Sequence, residues 1–133
     1  SALAVTFTKI MVSDLDAAEA FYRDALGLSV TGRYVAGEGE LAQELRTLST
    51  ASNPAESRLA LGRYLERSAP TPGAAWIGFL VADVDATLNA VTKAGGKIVK
   101  SAADEPAHGV RAAIASDIEG HILDIAQVLT PAH

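Results

Sequence analysis

The chemically most distinctive side chain in the sequence is the carboxylate of Asp124. It interrupts an otherwise apolar run, residues 122–126, which read Ile-Leu-Asp-Ile-Ala. A carboxylate buried alone would cost several kcal/mol, so Asp124 is expected either to face a solvated cleft or to pair with a cation. By charge, its natural partners are Lys9, Arg58 and Arg111. We expect Asp124 to form a salt bridge or to polarise a ligand, in preference to binding a metal or acting as a general base.

Two further side chains are candidates for acid–base catalysis. His108 lies in a loop, residues 105–109, ahead of a predicted strand, and histidine titrates near neutral pH. The alternative for His108 is a solvent-exposed loop side chain, and His121 is expected to have a structural role in a turn. Glu44 joins Asp124 and His108 as a weak candidate, and catalytic residues are otherwise unassigned. The sequence has no Ser-His-Asp order, phosphate loop or Cys-His pair, so nucleophilic and nucleotide chemistry have no support.

An internal repeat organises the chain around these residues. Residues 12–28 align without a gap on residues 81–97, an offset of 69 positions. The pairs identical at this offset are Val12/Val81, Asp14/Asp83, Asp16/Asp85, Ala17/Ala86, Ala25/Ala94, Gly27/Gly96 and Val30/Val99. Such a repeat indicates one module present twice. Because half-chains of about 65 residues are small for independent domains, the two modules are predicted to share a core.

Hydrophobic periodicity predicts the order βαβββ in each module. In the first module the predicted strands are 3–12, 28–34, 41–48 and 58–63, with a helix between Ser13 as N-cap and Gly27. In the second they are 76–81, 97–100, 110–115 and 121–128, with a helix between Asp83 as N-cap and Gly95-Gly96. Residues 1–133 are thus predicted to form one α+β domain. Its modules are 3–63 and 76–129, joined by a Pro-rich linker at 64–75.

Alternation along the strands predicts which side chains face a shared cleft. Phe7 and Trp76 lie 69 positions apart, which is the repeat offset, so both are expected to project from their first strands towards it. The charged residues predicted to face the cleft are Lys9, Glu44, Arg46, Arg58 and Arg111. The residues predicted to turn towards the helices are Leu59, Leu61, Val110 and Ala112. The basic side chains would orient an anionic ligand; alternatively they are strand-edge charges in water, which contribute little.

Two segments resemble the vicinal oxygen chelate superfamily, the glyoxalase/bleomycin-resistance/dioxygenase family. They are the first-helix segment, with Phe-Tyr-Arg-Asp-Ala-Leu-Gly at 21–27, and Asp-Ile-Glu-Gly-His-Ile-Leu-Asp-Ile at 117–125. The resemblance implies two tandem βαβββ modules whose curved mixed sheets form a cleft with the helices outside, the glyoxalase/bleomycin resistance-like fold. It also implies a homodimer, because such relatives commonly form their clefts across a dimer interface.

The resemblance further implies where metal ligands would stand. Metal-dependent members place them on the first and fourth strands of each module, and motif spacing maps these positions onto Phe7, Ala60, Trp76 and Asp124. Three of these side chains cannot bind a divalent ion, which needs several oxygen or imidazole donors. No metal and no cofactor is therefore predicted. The rings of Phe7 and Trp76 would instead hold a planar or apolar ligand or, alternatively, fill the space of the metal site.

Composition restricts the partners and the location. The net charge is −5 and the 11 basic residues are scattered, which disfavours a nucleic-acid partner. The longest apolar run, residues 74–82, is too short to span a membrane, and the N-terminus shows no signal-peptide pattern. The chain has no cysteine and hence no disulfide, which fits a cytoplasmic protein.

Two classes of function fit these residues. The first is metal-independent binding of a small aromatic or amphipathic molecule, as in drug or metabolite sequestration of the bleomycin-resistance type. The predicted ligand contacts are Phe7, Lys9, Arg46, Arg58, Trp76, Arg111 and Asp124. The alternative is an enzyme of the same family, a lyase, isomerase or ring-cleaving catalyst, that uses Asp124 or His108 without the usual metal.

Overall fold

The computed structural model describes residues 1–56 and 58–130 and contains two βαβββ modules in sequence. The first comprises β1 (Thr8–Met11), α1 (Leu15–Leu26), β2 (Ser29–Ala36), β3 (Gln43–Ser49) and β4 (Leu59–Tyr64). The second comprises β5 (Trp76–Leu80), α2 (Val84–Lys93), β6 (Lys97–Glu105), β7 (Val110–Ser116) and β8 (Ile122–Val128). Short 3-10 turns precede β3 and β7, at Gly39–Leu41 and Pro106–His108. The predicted α+β class and doubled βαβββ order are confirmed.

The chain divides into two compact units. One holds residues 1–23 and 27–71, and the other holds residues 24–26 and the chain from Pro72 onward. Each unit contains one four-stranded mixed sheet. Among the residues that the structure describes, no helix is both long enough and apolar enough to cross a bilayer.

Both helices begin at an aspartate in the same position of the repeat. Asp14 caps α1 by accepting a 3.0 Å hydrogen bond from the backbone N–H of Ala17, and Asp83 caps α2 in the same way. The predicted cap at Ser13 is therefore wrong by one residue, whereas the predicted cap at Asp83 is confirmed. Helix α1 ends at Gly27, whose φ of 69° lies in the left-handed region that glycine adopts without steric cost.

The Asp83 cap makes a first stability prediction. Asp83→Ala removes the acceptor of the helix N-terminus and should lower the free energy of unfolding by about 1 kcal/mol. Asp83→Asn keeps a capping oxygen and should stay close to the wild type. Urea denaturation of the two variants measures the difference, and equal losses would show that the side-chain cap does not stabilise α2.

The two sheets have the same strand order. It is β1-β4-β3-β2 in the first sheet and β5-β8-β7-β6 in the second. The first and last strands of each module pair in parallel, and the other neighbours pair antiparallel. Lys9 lies opposite Ala60 in the first sheet, and Gly78 lies opposite Asp124 in the second. Because Gly78 follows Lys9 by the repeat offset, Ala60 and Asp124 occupy equivalent positions.

Each sheet has one face towards its own helix. In the second sheet, Leu123 and Ile125 are buried, and α2 contacts this sheet at β6, β7 and β8. In the first sheet, Ile10 and Leu61 are buried in a row with Arg46, which bonds to α1. We call the opposite side of each sheet its far face. Because residues directly opposite each other on paired strands share a face, the pairing register assigns the strand side chains to one face or the other.

Candidate functional site

Phe7 and Lys9 lie on the far face of the first sheet. Phe7 immediately precedes β1, where the N–H of Thr8 donates a 2.9 Å hydrogen bond to the carbonyl oxygen of Arg58 and so continues the parallel pairing. The Phe7 ring is 53% exposed. The Lys9 ammonium donates a 3.0 Å hydrogen bond to Oε1 of Gln43, which lies on the same face. This face therefore presents an aromatic ring beside a cation held by a neutral partner.

Two more far-face side chains of the first sheet accompany them. Arg58 precedes Ala60 by two positions and therefore lies on the same face of the sheet. Its guanidinium is paired with the carboxylate of Glu56. Tyr34 is an exposed aromatic side chain whose ring lies over Gly32, where a Cβ atom would clash with it. The sequence predictions included Arg58 but missed Tyr34. A glycine two positions before the tyrosine is the sequence signal, because the absence of a side chain at Gly32 leaves room for the Tyr34 ring to fold back over its own strand.

Glu44 and Arg46 lie on the helix side of the first sheet, so their predicted place on the cleft-facing side is wrong. The Arg46 guanidinium bonds to Asp16 at 2.7 Å and to Glu19 at 3.2 Å, both on α1, and its side chain is 14% exposed. Glu44 pairs with Arg63 at 2.8 Å. The prediction failed because alternation within β3 shows which residues share a face but not which face meets the helix.

Arg111 lies on the helix side of the second sheet, contrary to the prediction. Its guanidinium makes two 3.1 Å hydrogen bonds to Asp85 of α2 and one 3.1 Å hydrogen bond to Asp104 of β6. The hydrogen bond to Arg111 lowers the pKa of Asp85, and the hydrogen bonds to Asp85 and Asp104 raise the pKa of Arg111. Arg111 is thus engaged by these two acids, so it is not the partner of Asp124, for which it was one of three possibilities.

The Asp85 carboxylate predicts a pH dependence of stability. Because its pKa is lowered in the folded chain by the hydrogen bond to Arg111, the unfolded chain binds this proton more readily. The stabilisation is present above the unfolded-state pKa of about 3.9 and is lost as the pH falls towards the folded-state value. Asp85→Asn should therefore flatten the fall of the unfolding temperature below about pH 4, whereas Glu40→Gln, at an exposed acid of the first module, should not. An unchanged slope for Asp85→Asn would contradict the assignment.

Asp124 lies on the far face of the second sheet, in a row that crosses all four strands. The row consists of Gly78, Asp124, Ile114 and Lys100. Asp124 is exposed and, within residues 1–56 and 58–130, its carboxylate has no hydrogen bond or ion pair. Trp76 lies diagonally across from it on β5, with its side chain 53% exposed. Asp124 therefore faces solvent beside an aromatic ring, which is the first of the two arrangements expected for it.

A cavity of about 140 Å³ adjoins Asp124. The side chains that line it with Asp124 include Lys100, Ala103, Glu105, Ala112 and Ile114. The sequence predictions missed Lys100 and Glu105, because the predicted strand ended at residue 100 whereas β6 continues through two register shifts to Glu105. Ala112 and its far-face neighbour Val110 were predicted to face the helix, which is wrong. The pairing register of the folded sheet identifies Lys100 as the neighbour of Ile114, and the two register shifts of β6 leave no signal for it in the sequence.

His108 does not line the cavity of Asp124. It ends the 3-10 turn before β7 and is exposed, without a hydrogen bond or ion pair to any residue that the structure describes. The structure therefore does not bring the two candidate catalytic residues of this module together in one cavity.

A buried polar turn fixes the start of β8, the strand that carries Asp124. Oδ1 of Asp117 accepts 2.9 Å hydrogen bonds from the backbone N–H groups of Glu119, Gly120 and His121. Its Oδ2 lies 2.9 Å from Nδ1 of His121, and both side chains are buried. This is the structural turn expected for His121, and it positions the site indirectly.

The positions at which a metal would be held carry one donor side chain. By the family resemblance, these positions correspond to Phe7 and Ala60 in the first module and to Trp76 and Asp124 in the second, and of these side chains only the carboxylate can bind a cation. Within the described ranges, no three His, Asp or Glu side chains form a group that could hold a metal ion. The residues present therefore do not fit the metal that the fold family implies.

Comparison with solved structures gives the same fold in proteins of low identity. A glyoxalase family protein from Bacillus cereus aligns with a TM-score of 0.81 and 23% identity, over 98% of this chain and 97% of that chain. The trypanothione-dependent glyoxalase I of Leishmania major aligns with a TM-score of 0.74 and 23% identity, over 95% and 87%. TioX from a Micromonospora species aligns with a TM-score of 0.66 and 22% identity, over 93% and 98%. At these identities the likeness shows the fold alone.

No curated protein matches the chain. A family model does match: that of the Glyoxalase/Bleomycin resistance protein/Dioxygenase superfamily, over residues 4–125, which run from the first module into the last strand of the second. The match agrees with the doubled βαβββ order and with the shared strand order of the two sheets. The chain therefore belongs to the glyoxalase/bleomycin resistance protein/dioxygenase superfamily.

Proposed function

We propose that the chain binds a small aromatic or amphipathic molecule through the far faces of its sheets. The observation that carries the proposal is the pair Phe7 and Trp76, which occupy equivalent positions in the two modules and are each 53% exposed. Covering such rings with a ligand removes apolar surface from water, at about 25 cal/mol per Å².

We also propose that this binding needs no divalent metal at the positions the family uses. Asp124 is the single donor side chain among those four positions, and one carboxylate is too few for a stable site. Binding of this kind would sequester a drug or metabolite, as in the bleomycin-resistance type. Homodimer formation and a cytoplasmic location remain predictions from the family resemblance and the cysteine-free sequence.

A titration followed by nuclear magnetic resonance tests the binding proposal. Trp76 is the sole tryptophan, so its indole N–H gives one assigned signal at the proposed site. The probes are 2-naphthalenemethanol and benzyl alcohol, with cyclohexylmethanol as a non-aromatic control. Because these probes carry no charge, they report on ring contacts alone. We expect the aromatic alcohols to shift the signals of Trp76 and Phe7 more than the control does, and no shift from either aromatic alcohol would contradict the proposal.

The competing function is catalysis without the usual metal, by a lyase, isomerase or ring-cleaving enzyme. One observation favours it: Asp124 is an exposed carboxylate without a partner among the described residues, beside a cavity. His108 is the weaker candidate, since it lies outside that cavity. If a substrate is converted, Asp124→Asn should abolish turnover without lowering the unfolding temperature. Unchanged rates in both Asp124→Asn and His108→Ala would remove this alternative.

A further inference from the structure

Two opposite charges flank one apolar residue on the far face of the second sheet. Asp124 and Lys100 lie on either side of Ile114, in the row that crosses β8, β7 and β6. Because adjacent strands are about 4.8 Å apart, the two Cα atoms are separated by about 10 Å. That separation leaves room above Ile114 for a small group between the carboxylate and the ammonium.

Neither charge is engaged within the part of the chain that the structure describes. The side chains of Asp124, Lys100 and the nearby Glu105 make no hydrogen bond or ion pair there. On the helix side of the same sheet, by contrast, Arg111 and its two acids bond to one another at 3.1 Å. A direct contact between Lys100 and Asp124 in solution would be an exposed ion pair, which is weak and easily displaced.

The cavity between these charges has the size of a head group. Its volume of about 140 Å³ is bounded by the small side chains of Ala103 and Ala112 and by Ile114. A cavity of about 150 Å³ can hold a benzene molecule, whereas sites for whole drug-sized ligands measure at least about 300 Å³. The cavity therefore accommodates one end of a ligand whose remainder lies elsewhere.

The charges select among possible head groups. A simple amine would be attracted by Asp124 but repelled by Lys100. A simple carboxylate would be attracted by Lys100 but repelled by Asp124. A group that carries both an ammonium and a carboxylate satisfies both side chains with charge-assisted hydrogen bonds. Glu105 adds a second negative charge to the same cavity, which favours a ligand that retains its ammonium.

We propose that this cavity is a subsite for a zwitterionic, amino-acid-like head group, with Asp124 binding the ammonium and Lys100 the carboxylate. The inference rests on the proposed function, since the aromatic or apolar remainder of the ligand would contact Trp76. It replaces the anion-orienting cleft predicted from the sequence, because Arg46 and Arg111 lie on the helix sides of their sheets and are paired there.

Three probes that share a ring and a short chain test the subsite. L-phenylalanine carries both charges, 2-phenylethylamine only the ammonium, and 3-phenylpropionate only the carboxylate. Each is titrated into the full chain, with the signals of Asp124, Ile114 and Lys100 followed by nuclear magnetic resonance. We expect L-phenylalanine to bind about fivefold to tenfold more tightly than either analogue. We also expect its binding to weaken as salt is added, because the contacts are ionic and partly exposed.

Two charge-removing variants complete the test. Asp124→Asn should weaken the binding of L-phenylalanine and of 2-phenylethylamine but strengthen the binding of 3-phenylpropionate. Lys100→Gln should weaken the binding of 3-phenylpropionate and strengthen that of 2-phenylethylamine. Lys93→Gln, at an exposed lysine of α2, is the matched control and should change nothing. The subsite is overturned if L-phenylalanine shifts none of the three signals, or if either variant leaves its affinity unchanged. If the uncharged aromatic alcohols still shift Trp76 in that case, the proposed function stands without the subsite; if they do not, both fall.

Discussion

Alanine in place of Phe7 or Trp76 is expected to weaken the binding of 2-naphthalenemethanol by about tenfold each, because each variant removes an aromatic face worth roughly 1 kcal/mol or more in contact with a ring. The free energy of unfolding should fall by about 2 kcal/mol, since about half of each aromatic residue is covered within the chain. Isothermal titration calorimetry measures the affinity without relying on the fluorescence of Trp76, and urea denaturation measures the stability.

Matched controls separate a ligand contact from a general loss of apolar surface. Val35→Ala and Ile98→Ala remove exposed aliphatic side chains that lie opposite Glu44 and Ala115, on the helix sides of the two sheets. Both controls should bind the probe as the wild type does. If Phe7→Ala and Trp76→Ala bind as tightly as these controls, the rings are not ligand contacts and the proposed function loses its main support.

Asp117→Ala is expected to destabilise the chain by about 3 kcal/mol, because it removes the acceptor of three backbone N–H groups in a turn whose two end residues, Asp117 and His121, are buried. For a domain of this length the loss corresponds to a fall in unfolding temperature of about 10 °C. The effect should be large because the turn sets the start of β8, whose Leu123 and Ile125 are fully buried. Thermal unfolding followed by circular dichroism measures it.

Asp117→Asn is the control for this variant. The asparagine keeps an oxygen at the position of Oδ1 and loses only the charge and the second acceptor that faces His121. Its loss should be clearly smaller than that of alanine. A loss below about 0.5 kcal/mol for Asp117→Ala, the range of ordinary surface substitutions, would contradict the role given to this turn.

The architecture was predictable from the sequence because the repeat carries it. Asp83 caps α2 as predicted, and the repeat offset relates Lys9 to Gly78, whereas the cap of α1 is Asp14, one residue after the predicted Ser13. Local hydrogen-bonding groups and hydrophobic periodicity determine these features within one segment at a time. They can therefore be predicted without knowledge of the tertiary structure.

The charged part of the site was less predictable, because it depends on pairing between segments. Alternation placed Glu44, Arg46 and Arg111 with the cleft-facing residues, but the register with the neighbouring strand puts them on the helix sides, where α1 and α2 supply acids for both arginines. Lys100 was missed for a related reason. The register of β6 shifts twice, so counting along that strand does not reveal which residues face Ile114.

The most direct measurement is the affinity of 2-naphthalenemethanol for the full chain with and without divalent metal, read from the indole signal of Trp76. The protein is first treated with a chelator and checked for metal by mass spectrometry, then divided between metal-free buffer and buffer with one equivalent of zinc or nickel. We predict the same dissociation constant in all three samples and shifts at both Phe7 and Trp76. Binding that appears only with metal, or a stoichiometric metal in the protein before chelation, would contradict metal-independent binding by these aromatic residues.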